Sequence, residues 1–326
     1  MKIDKIYLAP MDGVCDPPLR EVLTRYGAYD ECFSEFLRVT TEALPHKTLL
    51  RYVPELKNDA KTQAGCLCRV QLLGDVPEPL AETALKAVSL GAKGIDLNFG
   101  CPSRFVHHGG AMLLKEPELL HSIVSCVRDA LPPEIVLSVK FRLGFASAEE
   151  LPTIVQAVAV AGVNELIIHA RTRQDLYKAE ALNWPALATI EGKTNGVVVC
   201  ANGDIVDYES SQRCAAVTKC SRQMIGRAAL ATPNMPQVLR GESAPFTIRE
   251  VLLVAQDLAQ ELQKHDYPER SVSDRMKQFL GYTRRYRPEL QEFFQQFCRS
   301  QNLCEAQHLL ENKINELSQE NSAPAL

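Results

Sequence analysis

The run Asp96-Leu97-Asn98-Phe99-Gly100-Cys101-Pro102-Ser103 puts a thiol in a place suited to chemistry. Gly94-Ile95-Asp96-Leu97-Asn98 reads as the end of a strand, and Pro102 cannot continue it because it has no amide hydrogen for the ladder. Cys101 is therefore expected on a loop just past the carboxyl end of a strand, where ligands bind in parallel α/β proteins. Most free cysteines are small buried hydrophobes. Position is what sets Cys101 apart and makes it the candidate catalytic residue.

Other polar residues end other strands: Gln71, Asn98, Lys140, Arg142, His169, Arg171, Asn202, Asp204 and Arg227. One such residue is ordinarily a solvated edge, but a set drawn from six or more strands would converge on one pocket. Ala201-Asn202-Gly203-Asp204 and Ile225-Gly226-Arg227-Ala228 fall after the seventh and eighth strand candidates, a frequent phosphate site in barrels, where glycine lets backbone amides approach an anion. Lys140 lies on an apolar strand. Burying its ammonium costs several kcal/mol unless an anion meets it, so a negative partner is expected there.

The elements that position these residues alternate. Strand-like runs lie at 6–9, 32–36, 68–73, 94–97, 136–141, 165–169, 196–200 and 222–226, separated by segments with helix signals such as the proline and acids of Glu116-Pro117-Glu118. Eight strand–helix units predict a closed (β/α)8 barrel, which needs about 250 residues. An open doubly wound sheet is the rival, but Ala9-Pro10-Met11-Asp12-Gly13 is not the glycine fingerprint expected after its first strand. Beyond residue 241 only helical periodicity is found, near 247–264, 269–285, 288–300 and 303–317. The expected division is thus a barrel over 1–241 and a small all-helical domain over 242–326, with a frayed tail from Gln319.

Composition is that of an ordinary globular enzyme. A net charge of −4 argues against coating nucleic acid through bulk charge, leaving a local basic patch as the route to it. No run approaches the roughly 18 apolar residues of a membrane span, and the N-terminal residues lack the long apolar stretch of a signal peptide. Eleven cysteines without CxxC pairs fit a reducing cytosol, with no metal site expected. Cys66 and Cys68 read as core residues. Arg270, Arg275, Lys277, Arg284, Arg285 and Arg287, interleaved with Phe279, Tyr282 and Tyr286, form the basic cluster of the tail.

Taken in order, Leu8-Ala9-Pro10-Met11-Asp12-Gly13-Val14, Val70-Gln71-Leu72-Leu73-Gly74, Asp96-Leu97-Asn98-Phe99-Gly100-Cys101-Pro102, Val139-Lys140-Phe141-Arg142-Leu143-Gly144, His169-Ala170-Arg171-Thr172, Ala201-Asn202-Gly203-Asp204 and Ile225-Gly226-Arg227 resemble the tRNA-dihydrouridine synthase family. Phe33-Ser34-Glu35-Phe36-Leu37-Arg38-Val39 and Arg275-Met276-Lys277-Gln278 further resemble its bacterial C-type branch, which acts on uridine 16 of the D-loop. The resemblance implies an FMN-dependent cytoplasmic enzyme, expected as a monomer, that reduces the C5=C6 bond of a tRNA uridine with NADPH. It implies hydride transfer from flavin N5 to C6 and a proton from Cys101 to C5. Pro10, Met11, Asp12, Gln71, Lys140, His169, Asn202, Gly203, Asp204, Gly226 and Arg227 would bind FMN. Arg38, Asn98, Tyr177, Arg275, Lys277 and Arg299 would contact tRNA.

Two departures stand out: a short segment over 104–111 after the cysteine turn, and Ala170 where the family pattern carries glycine. Two other functions share parts of this pattern. One is an FMN barrel acting on a free pyrimidine, like a dihydroorotate or dihydropyrimidine dehydrogenase, which leaves the basic tail unexplained. The other is a non-catalytic tRNA-binding protein on the same scaffold, which has no need to keep Cys101, Lys140 and the phosphate motif together.

Overall fold

The computed structural model describes residues 2–103, 106 and 109–320. Its elements run β1 (Lys5–Leu8), α1 (Pro17–Tyr26), β2 (Glu31–Phe33), β3 (Leu37–Arg38), α2 (His46–Tyr52), β4 (Leu67–Leu73), α3 (Pro77–Ser89), β5 (Gly94–Phe99), α4 (Pro117–Ala130), β6 (Val136–Arg142), α5 (Leu151–Val158) and β7 (Glu165–His169). They continue with α6 (Pro185–Ala188), β8 (Val198–Asn202), α7 (Tyr208–Thr218), β9 (Arg222–Ile225), α8 (Ala228–Ala231), α9 (Met235–Leu239), α10 (Ile248–Lys264), α11 (Glu269–Thr283), α12 (Gln291–Phe297) and α13 (Leu303–Glu320). Each strand pairs in parallel with its neighbours, and β2 pairs with both β1 and β4, so the sheet closes. The expected (β/α)8 barrel is what the chain forms.

The second barrel strand is split. Where one run over 32–36 was expected, β2 stops at Phe33 and β3 resumes at Leu37. Ser34 explains the break: its amide donates to Arg69 O at 3.0 Å, while its hydroxyl accepts the Gln71 amide at 2.9 Å. A side chain takes over a ladder acceptor for one step.

At the amino-terminal side the barrel holds buried charge. Arg69, lying on the rings of Tyr7 and Phe33, donates to Glu31 at 2.6 Å and Glu165 at 2.8 Å; Glu165 also accepts from Tyr7 and Arg222. Burial would raise the Glu31 carboxyl, but Arg69 and Lys5 outweigh it and hold it below its ordinary value. A carboxylate depressed in this way contributes stability above its unfolded value and loses it on acidification. Arg69→Met takes a charge partner from two buried carboxylates, leaving Glu31 with Lys5 and Glu165 with Arg222 and Tyr7, a loss of about 3 kcal/mol. Its Tm is expected to fall by about 5 °C at neutral pH, and thermal melts across the acid range should show a weaker acid dependence from Glu31.

The described residues form two compact units, one within 1–13 and 29–226, the other within 14–28 and 227–326. Residues 14–28 and 227–241 thus group with the C-terminal helices. Helix α1 belongs with the C-terminal helices because its charged face fits α10: Arg25 pairs with Glu261 at 2.9 Å and the Tyr26 hydroxyl donates to Asp257 at 2.6 Å. Its apolar face, Leu19, Val22 and Leu23, is fully buried. The stretch 241–245, which reads as a linker, is pinned by Asn234, whose amide donates to Ser243 Oγ and Ala244 O and accepts from Phe246 N. Gln319 and Glu320 continue α13; the rest of the expected tail lies outside the described residues.

Candidate active site at the carboxyl ends of the strands

Strand periodicity sends alternate residues inward. On β5 these are Asp96 and Asn98, and on β6 Ser138, Lys140 and Arg142. The register sets Asp96 beside Gln71 and Ser138, Asn98 beside Lys140, and His169 beside Arg142 and Asn202. Gln71, Asp96 and Ser138 are wholly buried, and Asn98, His169 and Asn202 nearly so.

Cys101 follows directly on β5 and keeps partial exposure. Its turn is held from three sides. Asn98 Oδ1 accepts the Gly100 amide at 2.9 Å and the Cys101 amide at 3.0 Å; Arg142 Nε donates to Gly100 O at 2.8 Å; and the Ala111 amide donates to Cys101 O at 3.0 Å. Burial pushes the Cys101 thiol up, and nearby Lys140 and Arg142 do not reverse the shift. The group therefore rests as a thiol at neutral pH, a proton donor rather than a nucleophile. Of the short segment after the turn, Arg104, Phe105, His107 and His108 lie outside the described residues.

Lys140 donates to Asn202 Oδ1 at 3.2 Å. Desolvation by the surrounding strand ends, and then Arg142, depress its ammonium below the ordinary lysine value. Arg142 is almost fully buried. Besides Gly100 it donates to Thr172 O at 3.0 Å and Leu176 O at 2.8 Å, and it lies 5.1 Å from the ring of Tyr177. It thus ties the cysteine turn to the loop after β7, a link that appears in the sequence only as one more strand-end cation. Tyr177 is half-exposed, its ring 6.0 Å from that of His169.

Flavin was expected from sequence, and the residues present suit one. Gly203 has φ +124°, and a Cβ there would come within 3.1 Å of His169 Cδ2. A Cβ at Gly226 would meet only Ala9 and Met11, both at 3.8 Å, so protein packing does not require the glycine and its open backbone is left for a ligand. Arg171 is buried, donates to Lys178 O at 2.7 Å and pairs with Asp204; its Nη1 has no hydrogen-bond partner among the described residues. A buried donor of this kind suits an anion. Pro10 and Met11 are part-exposed and Asp12 exposed, on the loop after β1. Ala170, where glycine was expected, fits without displacement: it is fully buried and its amide donates to Asn202 O at 2.9 Å. Among the described residues no group of three or more His, Cys, Asp or Glu could hold a metal ion.

The remaining sequence candidates are Arg38, Arg227, Arg275, Lys277 and Arg299. Arg38, on β3, is exposed. Arg227 opens the second segment of the helical unit, just before α8, and is part-buried. Arg275 pairs with Asp16 at 2.8 Å and also donates to Val14 O and Gln278 Oε1; Lys277 donates to Ser300 O at 2.9 Å. Phe279 is core, not part of a basic surface, and Arg287 donates inward to Ala231 O and Phe246 O. The cluster is more internally committed than its composition suggests. Arg270 and Arg285 are its exposed members, and Arg299, outside the cluster, is exposed as well.

A model of the dihydrouridine synthase family matches residues 7–319. The chain belongs to that family. Among proteins similar to this dihydrouridine synthase family member, the tRNA-dihydrouridine(16) synthase of Haemophilus ducreyi is 44% identical over 295 residues, covering 90% of each chain. Those of Yersinia pestis and Escherichia coli K12 are each 43% identical, covering 89% of this chain and 93% and 92% of theirs. A solved structure of an asparagine-to-alanine variant of morphinone reductase with tetrahydroNAD matches with a TM-score of 0.51 at 11% identity, over 76% of this chain and 89% of that one. That likeness is one of fold. No helix among the described residues is long and apolar enough to cross a membrane.

Proposed function

We propose that this family member reduces uridine 16 in the D-loop of tRNA to 5,6-dihydrouridine, acting as a cytoplasmic monomer with FMN bound and NADPH as reductant. The observation that carries the reading is Cys101: a part-accessible thiol, kept protonated by its surroundings, on a turn fixed at the carboxyl ends of the barrel strands. Bound flavin supplies the hydride for C6 of the uracil ring. Cys101 gives its proton to C5, and the Asn98, Arg142 and Ala111 contacts hold its turn in place while it does so.

Within the barrel unit, Pro10, Met11, Asp12, Gln71, Lys140 and His169 would line the flavin, with Asn202, Gly203, Asp204 and Gly226 at its phosphate. Lys140 places positive charge where reduction adds electrons. Tyr177, exposed beside His169, offers a ring for a base withdrawn from its stack, and Asn98 has a second amide hydrogen for a uracil oxygen. Position 16 is supported by relatives at 43–44% identity that are tRNA-dihydrouridine(16) synthases.

Mapping dihydrouridine in tRNA from cells lacking the protein tests reaction, substrate and position together. Loss at position 16 is expected; an unchanged map overturns the reading. The helical unit is the proposed tRNA-binding part, tracking phosphates through its exposed cations. Arg285→Glu with Arg299→Glu is expected to weaken tRNA binding about tenfold or more and to flatten its salt dependence, read by titrations at two salt concentrations. Arg275 makes a poor probe, because reversing its charge also breaks the Asp16 pair.

A further inference from the structure

Asp96 and Ser138 have no part in the chemistry proposed above, yet they end a directional chain of hydrogen bonds that reaches Cys101. The backbone amides of Gly100 and Cys101 can only donate, so Asn98 must turn Oδ1 toward them. That leaves its Nδ2 facing Gln71, whose Oε1 accepts at 2.8 Å. Gln71 then has only Nε2 for its other side, and that nitrogen needs an acceptor. Asp96 Oδ2 supplies one at 2.7 Å, while Asp96 Oδ1 accepts from Ser138 Oγ at 2.5 Å.

Each step permits one orientation. A flipped Gln71 would set Nε2 against Asn98 Nδ2 and Oε1 against a carboxylate, two repulsions in a fully buried site. Burying a carboxylate is costly, and an apolar side chain at position 96 would fill the same space at less cost. The acceptor is what such a side chain cannot supply.

We propose that Asp96 is a positioning residue: its carboxylate, seated by Ser138, sets the amide orientations of Gln71 and Asn98 and through them the Gly100–Cys101 turn. The catalytic consequence rests on Cys101 being the proton donor; the placement of the turn does not.

The test uses full-length FMN-loaded protein, with hydrogen exchange resolved at Gly100 and Cys101 and single-turnover reduction of tRNA uridine. Asp96→Asn keeps an acceptor for Gln71, and its new amide can donate to Ser138 Oγ. Exchange and rate are expected within about threefold of the parent. Asp96→Leu removes the acceptor. Exchange at the two turn amides is expected to rise about tenfold or more, with β7 unchanged, and the rate to fall about a hundredfold, the scale of a 1 Å misplacement. Should that variant not fold, Asp96→Val removes the acceptor with a smaller side chain suited to a strand and should show the same two losses.

Parental protection of Gly100 and Cys101 in folded Asp96→Leu or in Asp96→Val overturns the proposal. So does an Asp96→Asn variant as impaired as Asp96→Leu. Faster exchange with an unchanged rate upholds the positioning role and counts instead against Cys101 as proton donor.

Discussion

Cys101→Ala is expected to keep its flavin and the reduction of that flavin by NADPH, while uridine reduction drops by about 10²–10⁴-fold, the range for losing a positioned acid. The fold has no reason to change. The turn is held by the backbone of Gly100 and Cys101 and by the side chains of Asn98 and Arg142, none of which needs the sulfur. Stopped-flow absorbance separates the two half-reactions. Full turnover on tRNA would remove Cys101 from the mechanism.

The pH profile adds a sign. Burial raises the Cys101 thiol, so a proton donor stays loaded through neutral pH and the parent rate declines only as pH climbs through the raised value. A thiolate nucleophile would do the reverse and gain rate with pH. The residual rate of Cys101→Ala should lack this alkaline limb.

Lys140→Met separates stability from function. The lysine's depressed ammonium is a strained charge, since desolvation is the largest influence on it and Arg142 adds repulsion. A lysine whose folded value lies below its unfolded one costs stability while charged, and the cost fades as pH rises through the folded value toward the unfolded one. Replacing it with methionine should therefore raise the Tm of flavin-free protein near neutral pH. Flavin occupancy should fall together with uridine reduction, by about a hundredfold if Lys140 stabilises charge as oxyanion-type groups do. A flavin-free protein that melts lower, with its flavin affinity intact, would contradict both halves.

Much of the barrel was legible. Residues 165–169 read as a strand because Glu165-Leu166-Ile167-Ile168-His169 is an apolar run ended by a polar residue, and β7 has those bounds. The strand-end polar residues were legible for the same reason: strand direction in a parallel barrel sends them all to one end. Interactions that depend on a distant partner were not. Arg69 sits in a strand that reads as apolar, and its two carboxylates come from β2 and β7. Arg275 and Lys277 read as surface cations because nothing near them in sequence announces Asp16 or Ser300 O as partners. Asp96 read as one polar letter in a strand, with no hint that Gln71 and Asn98 lean on it.

The placement of α1 also bears on how the chain is made and cut. Residues 14–28 leave the ribosome early, but α10, which receives Arg25 and Tyr26, lies more than two hundred residues later. Such long-range closure is slow and leaves Arg25 and Tyr26 without Glu261 and Asp257 while the intervening chain is synthesised. A fragment ending at residue 226 or 241 keeps α1 but lacks α10. It carries an orphaned amphipathic helix, and its solubility should depend on deleting or masking residues 14–28.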